Sequence, residues 1–174
     1  LHLSIRRQRQ MCIRDRVPWA LEAQELLKRD YGVVADVWSA TSWTELRRDA
    51  MACEEHNFLH PEAERRVPYV TQRLSGRPGP VLATSDYMKQ VQDQIAQWVP
   101  ARWASLGADG FGFSDTRAAA RRFFHIDGPS LAVRALQLLA DEGQLDPSLA
   151  RDAAERYRLL DVTAGASGGA GGDS

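Results

Sequence analysis

Two short apolar runs, VLATS (81–85) and WASL (103–106), flank a helical pattern, YMKQVQDQIAQWV (87–99), which stops at Pro100. This spacing constrains the fold most, because strands joined through a helix pair in parallel. The same alternation extends in both directions. Upstream, WALEAQELLKRDYG (19–32) reads as a helix with Leu21, Ala23, Leu26 and Leu27 near one stripe and Gly32 as its stop. VVADVWS (33–39) follows as a short buried strand, β-branched and aromatic. Ser42 and Glu45 stand in capping-box spacing and open a helix expected from about Trp43 to Glu55. Residues 56–68, with Pro61 and Pro68, read as loop, and YVTQRL (69–74) reads equally as helix or strand. SGRPGP (75–80) is a turn, and Ser85 or Asp86 is placed to cap the helix that follows VLATS. Downstream, the pattern predicts a helix over 116–124 and a short strand HID over 125–127. A helix over 131–143 is expected to be capped by Ser130 and stopped by Gly143. A last helix begins at Asp146–Pro147 and runs to about Leu160. Alternation of this kind means an α/β fold with a mostly parallel sheet, spanning 17–162. Such domains usually open on a strand. This one opens on a helix, so its first strand is expected to be truncated.

The two ends differ from the middle. Residues 1–16 hold five arginines against one aspartate, a net of +4, which leaves −5 on the remaining residues of a chain whose total is −1. A basic arm on an acidic domain suits a nucleic-acid tether or an acidic protein partner. It has no apolar stretch or small-residue cleavage site of the secretory kind. The run MCIRDR (11–16) resembles sequence found at the ragged ends of assembled fragments, and 1–16 is read as a non-native arm. TAGASGGAGGDS (163–174) is a flexible Gly-rich tail with no hydrophobic anchor. Two cysteines, Cys12 and Cys53, make no disulfide framework, and a cytoplasmic setting is the simplest expectation. No run approaches the length of a membrane span.

Five groups of residues invite a reading in terms of chemistry or contact. The loop GADGFGFSDTR (107–117) follows WASL, where ligands bind in open α/β sheets. Asp109, Ser114 and Asp115 suit a cation there, and Arg117 an anion. Equally, Gly107, Gly110 and Gly112 serve tight backbone geometry, and the polar side chains serve as local caps. The loop is neither GxGxxG nor a Walker loop, and the structural or subunit-interface reading is preferred. Cys53, His56 and His60 share one helical face and are zinc-ligand types, but no fourth ligand is apparent and Pro61 follows at once. His125, inside an apolar run, reads as a satisfied core histidine rather than a base. Arg47–Arg48 and Arg121–Arg122 read as salt-bridged helix faces or contacts to an acidic partner. Trp19, Trp38, Trp43, Trp98 and Trp103 sit at the ends of elements and are expected in core or interface.

Several runs, taken in order, resemble the C-terminal domain of the homodimeric-type pyruvate dehydrogenase first component. They are DVWSATSWTELRRDA (36–50), NFLHP (57–61), RVPYVTQ (66–72), GPVLATSDYMKQVQDQIAQWVP (79–100) and SLGADGFGFSDTRAAARRFFHID (105–127). The chain departs from the family pattern at 54–57, where Glu54, Glu55, His56 and Asn57 replace an ERWN-like run. The resemblance implies a three-layer α/β/α transketolase C-terminal-like domain. It also implies a role in decarboxylating pyruvate and reductively acetylating the lipoyl group of dihydrolipoyl acetyltransferase. Thiamine diphosphate and Mg²⁺ would be the cofactors of the full-length enzyme. The GDG motif with its downstream paired asparagines is not in this sequence, so no catalytic, cofactor or metal residue is carried over, and none is expected to bind the cofactor here. The resemblance implies dimerisation and complex docking. Its partners would be the enzyme's other domains, a second copy and the acetyltransferase, with no nucleic acid or membrane. The family-motif residues Asp109, Gly110, Phe111, Gly112, Ser114, Asp115 and Arg117 are expected to be structural or interfacial. The alternative is a stand-alone α/β protein-binding module with a basic arm.

Overall fold

The computed structural model describes residues 2–3, 16–110 and 115–165. Its elements run β1 (His2–Leu3), α1 (Arg16–Tyr31), β2 (Asp36–Val37), α2 (Trp43–Leu59), α3 (Tyr69–Leu74), β3 (Val81–Thr84) and α4 (Gln90–Asp93). A 3₁₀ turn (Ala96–Trp98) follows, then β4 (Trp103–Leu106), α5 (Arg117–Phe123), α6 (Gly128–Asp141), α7 (Pro147–Arg156) and a second 3₁₀ turn (Val162–Gly165). The strands form one sheet in the order β2-β1-β3-β4. Every pairing is parallel, and β3 and β4 are in register from Val81↔Trp103 to Thr84↔Leu106.

Strand side chains alternate between faces, and β3 and β4 show it directly. Leu82 and Ala104 enter one core with Ala20, Ala23 and Leu27 of α1, Leu131, Ala132, Ala135 and Leu136 of α6, and Ala150 and Ala153 of α7. Val81 and Trp103 enter a second core with Ala50 of α2, Val70 of α3, and Ile95, Trp98 and Val99. Helices therefore cover both faces, which is the three-layer α/β/α arrangement. The α1 stripe is shifted from the sequence reading. Leu21 is 47% exposed, whereas Ala20, Ala23 and Leu27 are buried. These small residues face Ala132 and Ala135, which lets α1 and α6 approach closely.

Local caps behave as their chemistry demands. Ser42 accepts from the Glu45 N–H, and Asp146 accepts from the Ser148 N–H with Pro147 beside it at the helix start. Gly32 (φ 65) and Gly143 (φ 72) take the left-handed conformation just past α1 and α6. The sequence reading of 69–74 is resolved as helix α3.

Several expectations are corrected. The VVADVWS strand shortens to Asp36–Val37, with an isolated bridge residue at Ser39. His2–Leu3, within the segment 1–16 read as an arm, lies between β2 and β3 in the sheet. α2 continues past Glu55 to Leu59 and ends where His60 (φ −129) precedes Pro61. The helix expected over 87–99 breaks into α4 and a 3₁₀ turn. The Gln94 side chain donates to the Val91 carbonyl (2.5 Å), and the Ile95 N–H turns instead to the Gln92 carbonyl (3.3 Å). The strand expected at 125–127 is a helix end. The Ile126 N–H donates to Arg121 O and the His125 N–H to Arg122 O, both at 3.0 Å, with His125 at φ 55. These are the two bonds of a Schellman motif. His125 is accordingly exposed rather than a core histidine, and Asp127, not Ser130, caps α6 by accepting from the Ser130 N–H.

A left-handed L-residue costs roughly 1–2 kcal/mol that glycine avoids. His125→Gly is therefore expected to stabilise the chain by about 1 kcal/mol, raising Tm by roughly 2–4 °C at this size. A lower Tm by calorimetry would mean that the imidazole makes a compensating contact.

Candidate functional site

The C-terminal ends of β3 and β4 converge on the loop that the sequence singles out. Ser85 and Gln92 are buried there, Gln92 completely. The Ser85 hydroxyl donates to Gln92 Oε1 (2.6 Å) and accepts from the Tyr87 N–H (3.1 Å). Gln92 Nε2 donates to the Leu106 carbonyl (2.8 Å), which also accepts from the Ser85 N–H (3.2 Å). Each buried polar group in this circuit is satisfied, so the circuit fixes how the chain leaves both strands.

The loop itself is stitched to the same place. Gly107 approaches the preceding segment so closely that a Cβ there would lie 2.4 Å from the Tyr87 carbonyl oxygen and 2.9 Å from the Lys89 nitrogen. Asp109 Oδ1 accepts from the Lys89 N–H (3.0 Å), and its Oδ2 lies 3.6 Å from Lys89 Nζ. Gly110 has φ 133, a conformation open to glycine, and a Cβ there would lie 3.6 Å from the Phe124 ring. Asp115 Oδ1 accepts from the Thr116 N–H (2.6 Å), and Thr116 in turn caps α5 through the Ala119 N–H (3.2 Å). Arg117 is exposed at the first turn of α5. Phe111, Gly112 and Ser114 lie outside the described residues.

The described loop residues are thus not gathered around one point. Asp109 serves Lys89, Asp115 serves the helix start, and Arg117 faces solvent. Among the described residues no three His, Cys, Asp or Glu side chains come together as a metal set. Within the Cys53–His56–His60 candidate, Cys53 is buried and its thiol is pushed up, first by burial and then by Asp49. That favours the neutral thiol over a ligating thiolate. The His56 and His60 rings lie 4.8 Å apart, and His56 is pulled down by desolvation, Arg66 and His60. The donor set offers no fit for a magnesium–diphosphate group among the described residues.

Two residues central to this architecture escaped the sequence reading. Gln92 lies inside a polar-looking helical run, with no local sign that it is buried. Arg122 was assigned to a salt-bridged helix face, yet it is 3% exposed. Its Nε donates to Asp127 Oδ2 (2.5 Å), and one terminal nitrogen donates to the carbonyls of Tyr157 (2.9 Å) and Arg158 (3.1 Å). Its neighbour Arg121 lies over the Trp19 ring, 4.9 Å from the centroid. On the surface, Arg48 does pair with Glu45. Trp98 is buried and donates to Glu54 Oε1, and Trp103 donates to Asp93 Oδ1, both at 2.8 Å.

Removing one member of a buried ion pair costs about 3–5 kcal/mol, because the other charge is left buried. Arg122→Ala is therefore expected to lower the urea midpoint far more than Arg117→Ala, an exposed arginine on the same helix. Equal effects of the two substitutions would show that Arg122 is not a structural clamp.

Comparison with known proteins places this geometry. A family model described as the transketolase-like TK C-terminal domain matches residues 15–127. The chain is 51% identical over 148 residues to the pyruvate dehydrogenase E1 component of Mycolicibacterium smegmatis, covering 85% of this chain and 16% of that protein. It is 47% identical over 139 residues to the component of the same name from Pseudomonas aeruginosa (79% of this chain, 16% of the relative). The Escherichia coli K12 component is 43% identical over 139 residues (79% and 15%). The chain therefore spans about one-sixth of the length of these relatives.

Proposed function

Since the chain belongs to the transketolase-like C-terminal domain family, we propose that it serves as the C-terminal architectural domain of a pyruvate dehydrogenase E1-type enzyme. The carrying observation is the 51% identity to the M. smegmatis component, spread over 85% of this chain. In this reading the whole enzyme decarboxylates pyruvate and reductively acetylates the lipoyl group of a dihydrolipoyl acetyltransferase in the cytoplasm. Thiamine diphosphate with Mg²⁺ supplies the carbanion stabilisation, and residues outside this chain hold it. This chain's own part is to present a rigid face to the enzyme's other domains, to a second copy and to the acetyltransferase.

Two features support the architectural role. The loop after β4, placed where α/β folds usually bind ligands, has its described polar groups engaged in holding the fold, Arg117 excepted. Meanwhile Met51 (45%), Phe58 (83%), Leu59 (60%), Val67 (45%) and Tyr69 (49%) leave large apolar side chains exposed along α2 and the start of α3. Exposed apolar groups of this size on neighbouring elements are characteristic of an interaction surface.

A chimera tests the reading. In the M. smegmatis component, the matched C-terminal portion is replaced by the matched residues of this chain. The chimera is expected to retain pyruvate- and thiamine-diphosphate-dependent reduction of ferricyanide, while the 174-residue chain alone shows none. Turnover by the isolated chain, or a folded but inactive chimera, would overturn the proposal. Phe58→Asp in the chimera is expected to weaken assembly by light scattering without lowering the Tm of the isolated chain.

A further inference from the structure

Where α1 crosses the start of α6, a carboxyl group is held with no counter-ion of its own among the described residues. Glu22 projects from α1 into the space left by the missing side chain of Gly128, the first residue of α6. A Cβ on Gly128 would lie 2.3 Å from Glu22 Oε2 and 2.6 Å from its carboxyl carbon. Oε2 is buried and has no hydrogen-bond partner. Asp127 stands beside it as the α6 cap, and its own carboxylate is saturated. Oδ2 accepts from Arg122 Nε (2.5 Å) and Oδ1 from the Ser130 N–H (3.1 Å). The Arg122 cation is thus committed to Asp127 and to the carbonyls of Tyr157 and Arg158.

We propose that Glu22 is a proton-operated latch between α1 and α6: neutral, it closes the junction, and ionised, it loosens it. A neutral carboxyl fits the pocket beside Gly128 and does not repel Asp127. An ionised one places a second negative charge there, with Oε2 cut off from water. Burial is the largest influence raising the Glu22 titration, followed by Asp127, with Glu25 on the same helix adding to it. Arg122 from α5 and the Gly128 N–H act in the opposite sense. Two other charged groups beside α1 are engaged elsewhere. Arg121 lies over Trp19, and Asp30 at the far end of the helix is held by Arg29, Arg156 and the Tyr157 hydroxyl.

The sign of the effect follows from linkage. The folded-state carboxyl binds its proton more tightly than the unfolded one, whose ordinary value is 4.5. The stability tied to this proton is fully present below that value and is lost as pH rises through the folded-state value. Over that window the unfolding constant grows by at most about tenfold per pH unit.

Urea unfolding of the full chain between about pH 4.5 and 8 tests the latch by comparison with Glu22→Gln, which mimics the neutral form. The ratio of unfolding constants, native sequence over variant, is expected to rise with pH and then level off. Glu25→Gln, which removes only a lesser like-charge influence on Glu22, should give a clearly shallower slope than Glu22→Gln. A flat ratio for Glu22→Gln, or the same slope for both variants, overturns the proposal. Should Glu22→Gln fail to fold, hydrogen exchange of the unsubstituted chain decides. Protection of α1 relative to α7, corrected for intrinsic rates, is expected to fall from about pH 5 to 8. An unchanged ratio overturns the latch.

Discussion

The Arg122 guanidinium joins three segments that the sheet alone does not hold together. It sits on α5, binds the carboxylate that caps α6, and accepts the last carbonyls of the α7 turn as partners. Burying this charge carries a desolvation penalty of several kcal/mol, which close and well-satisfied partners offset. Here the partners are chosen by the polarity of the helices. Asp127 lies at the positive start of α6, and the Tyr157 and Arg158 carbonyls lie at the negative end of α7. An apolar residue in the same place would fill the volume but would not select these two helix ends.

A second buried polar circuit does the same for the sheet. Apolar packing against Leu82 and Ala104 is tolerant of direction, whereas Ser85, Gln92 and the Leu106 carbonyl match donor to acceptor one by one. With Asp109 tied to Lys89, the described part of the post-β4 loop has little freedom left to follow a ligand. At this location, typical of α/β binding sites, the described residues bond to the segments around them. Position in a fold therefore does not by itself assign chemistry.

The parts of the fold legible in the sequence are those decided within a few residues. Ser42, Asp146 with Pro147, Gly32 and Gly143 mark helix ends by local hydrogen bonding and backbone freedom. The β3 and β4 runs are β-branched or apolar and bounded by turns. The errors fall where distant partners decide. VVADVWS has strong strand character, but only Asp36–Val37 form a strand, with an isolated bridge residue at Ser39. FFHID is apolar enough for a strand, yet the α5 carbonyls claim the His125 and Ile126 N–H groups. The identity of Arg122 and Gln92 as buried residues depends on carbonyls and carboxylates supplied from other elements, which no periodicity encodes. The candidate loop shows in sequence only glycines and short polar side chains that suit turn chemistry, and its described residues Asp109 and Asp115 make local bonds of that kind.

The exposed end of α2 completes the architectural argument. Its apolar side chains are mounted on a backbone already fixed from both sides. Asn57 donates to the Arg66 carbonyl and accepts from the Arg66 N–H, both at 2.8 Å, and Asp49 accepts from the Tyr69 N–H at 2.7 Å. The connection between α2 and α3 is thus held before any partner arrives. Ordering a loop on association opposes binding, and a pre-ordered one avoids that cost. Phe58 and Leu59 stay in solvent while the chain around them is clamped, which supports the proposed interaction surface. The polar bonds that clamp it are the same kind of local, fully paired contact that holds the loop beyond β4.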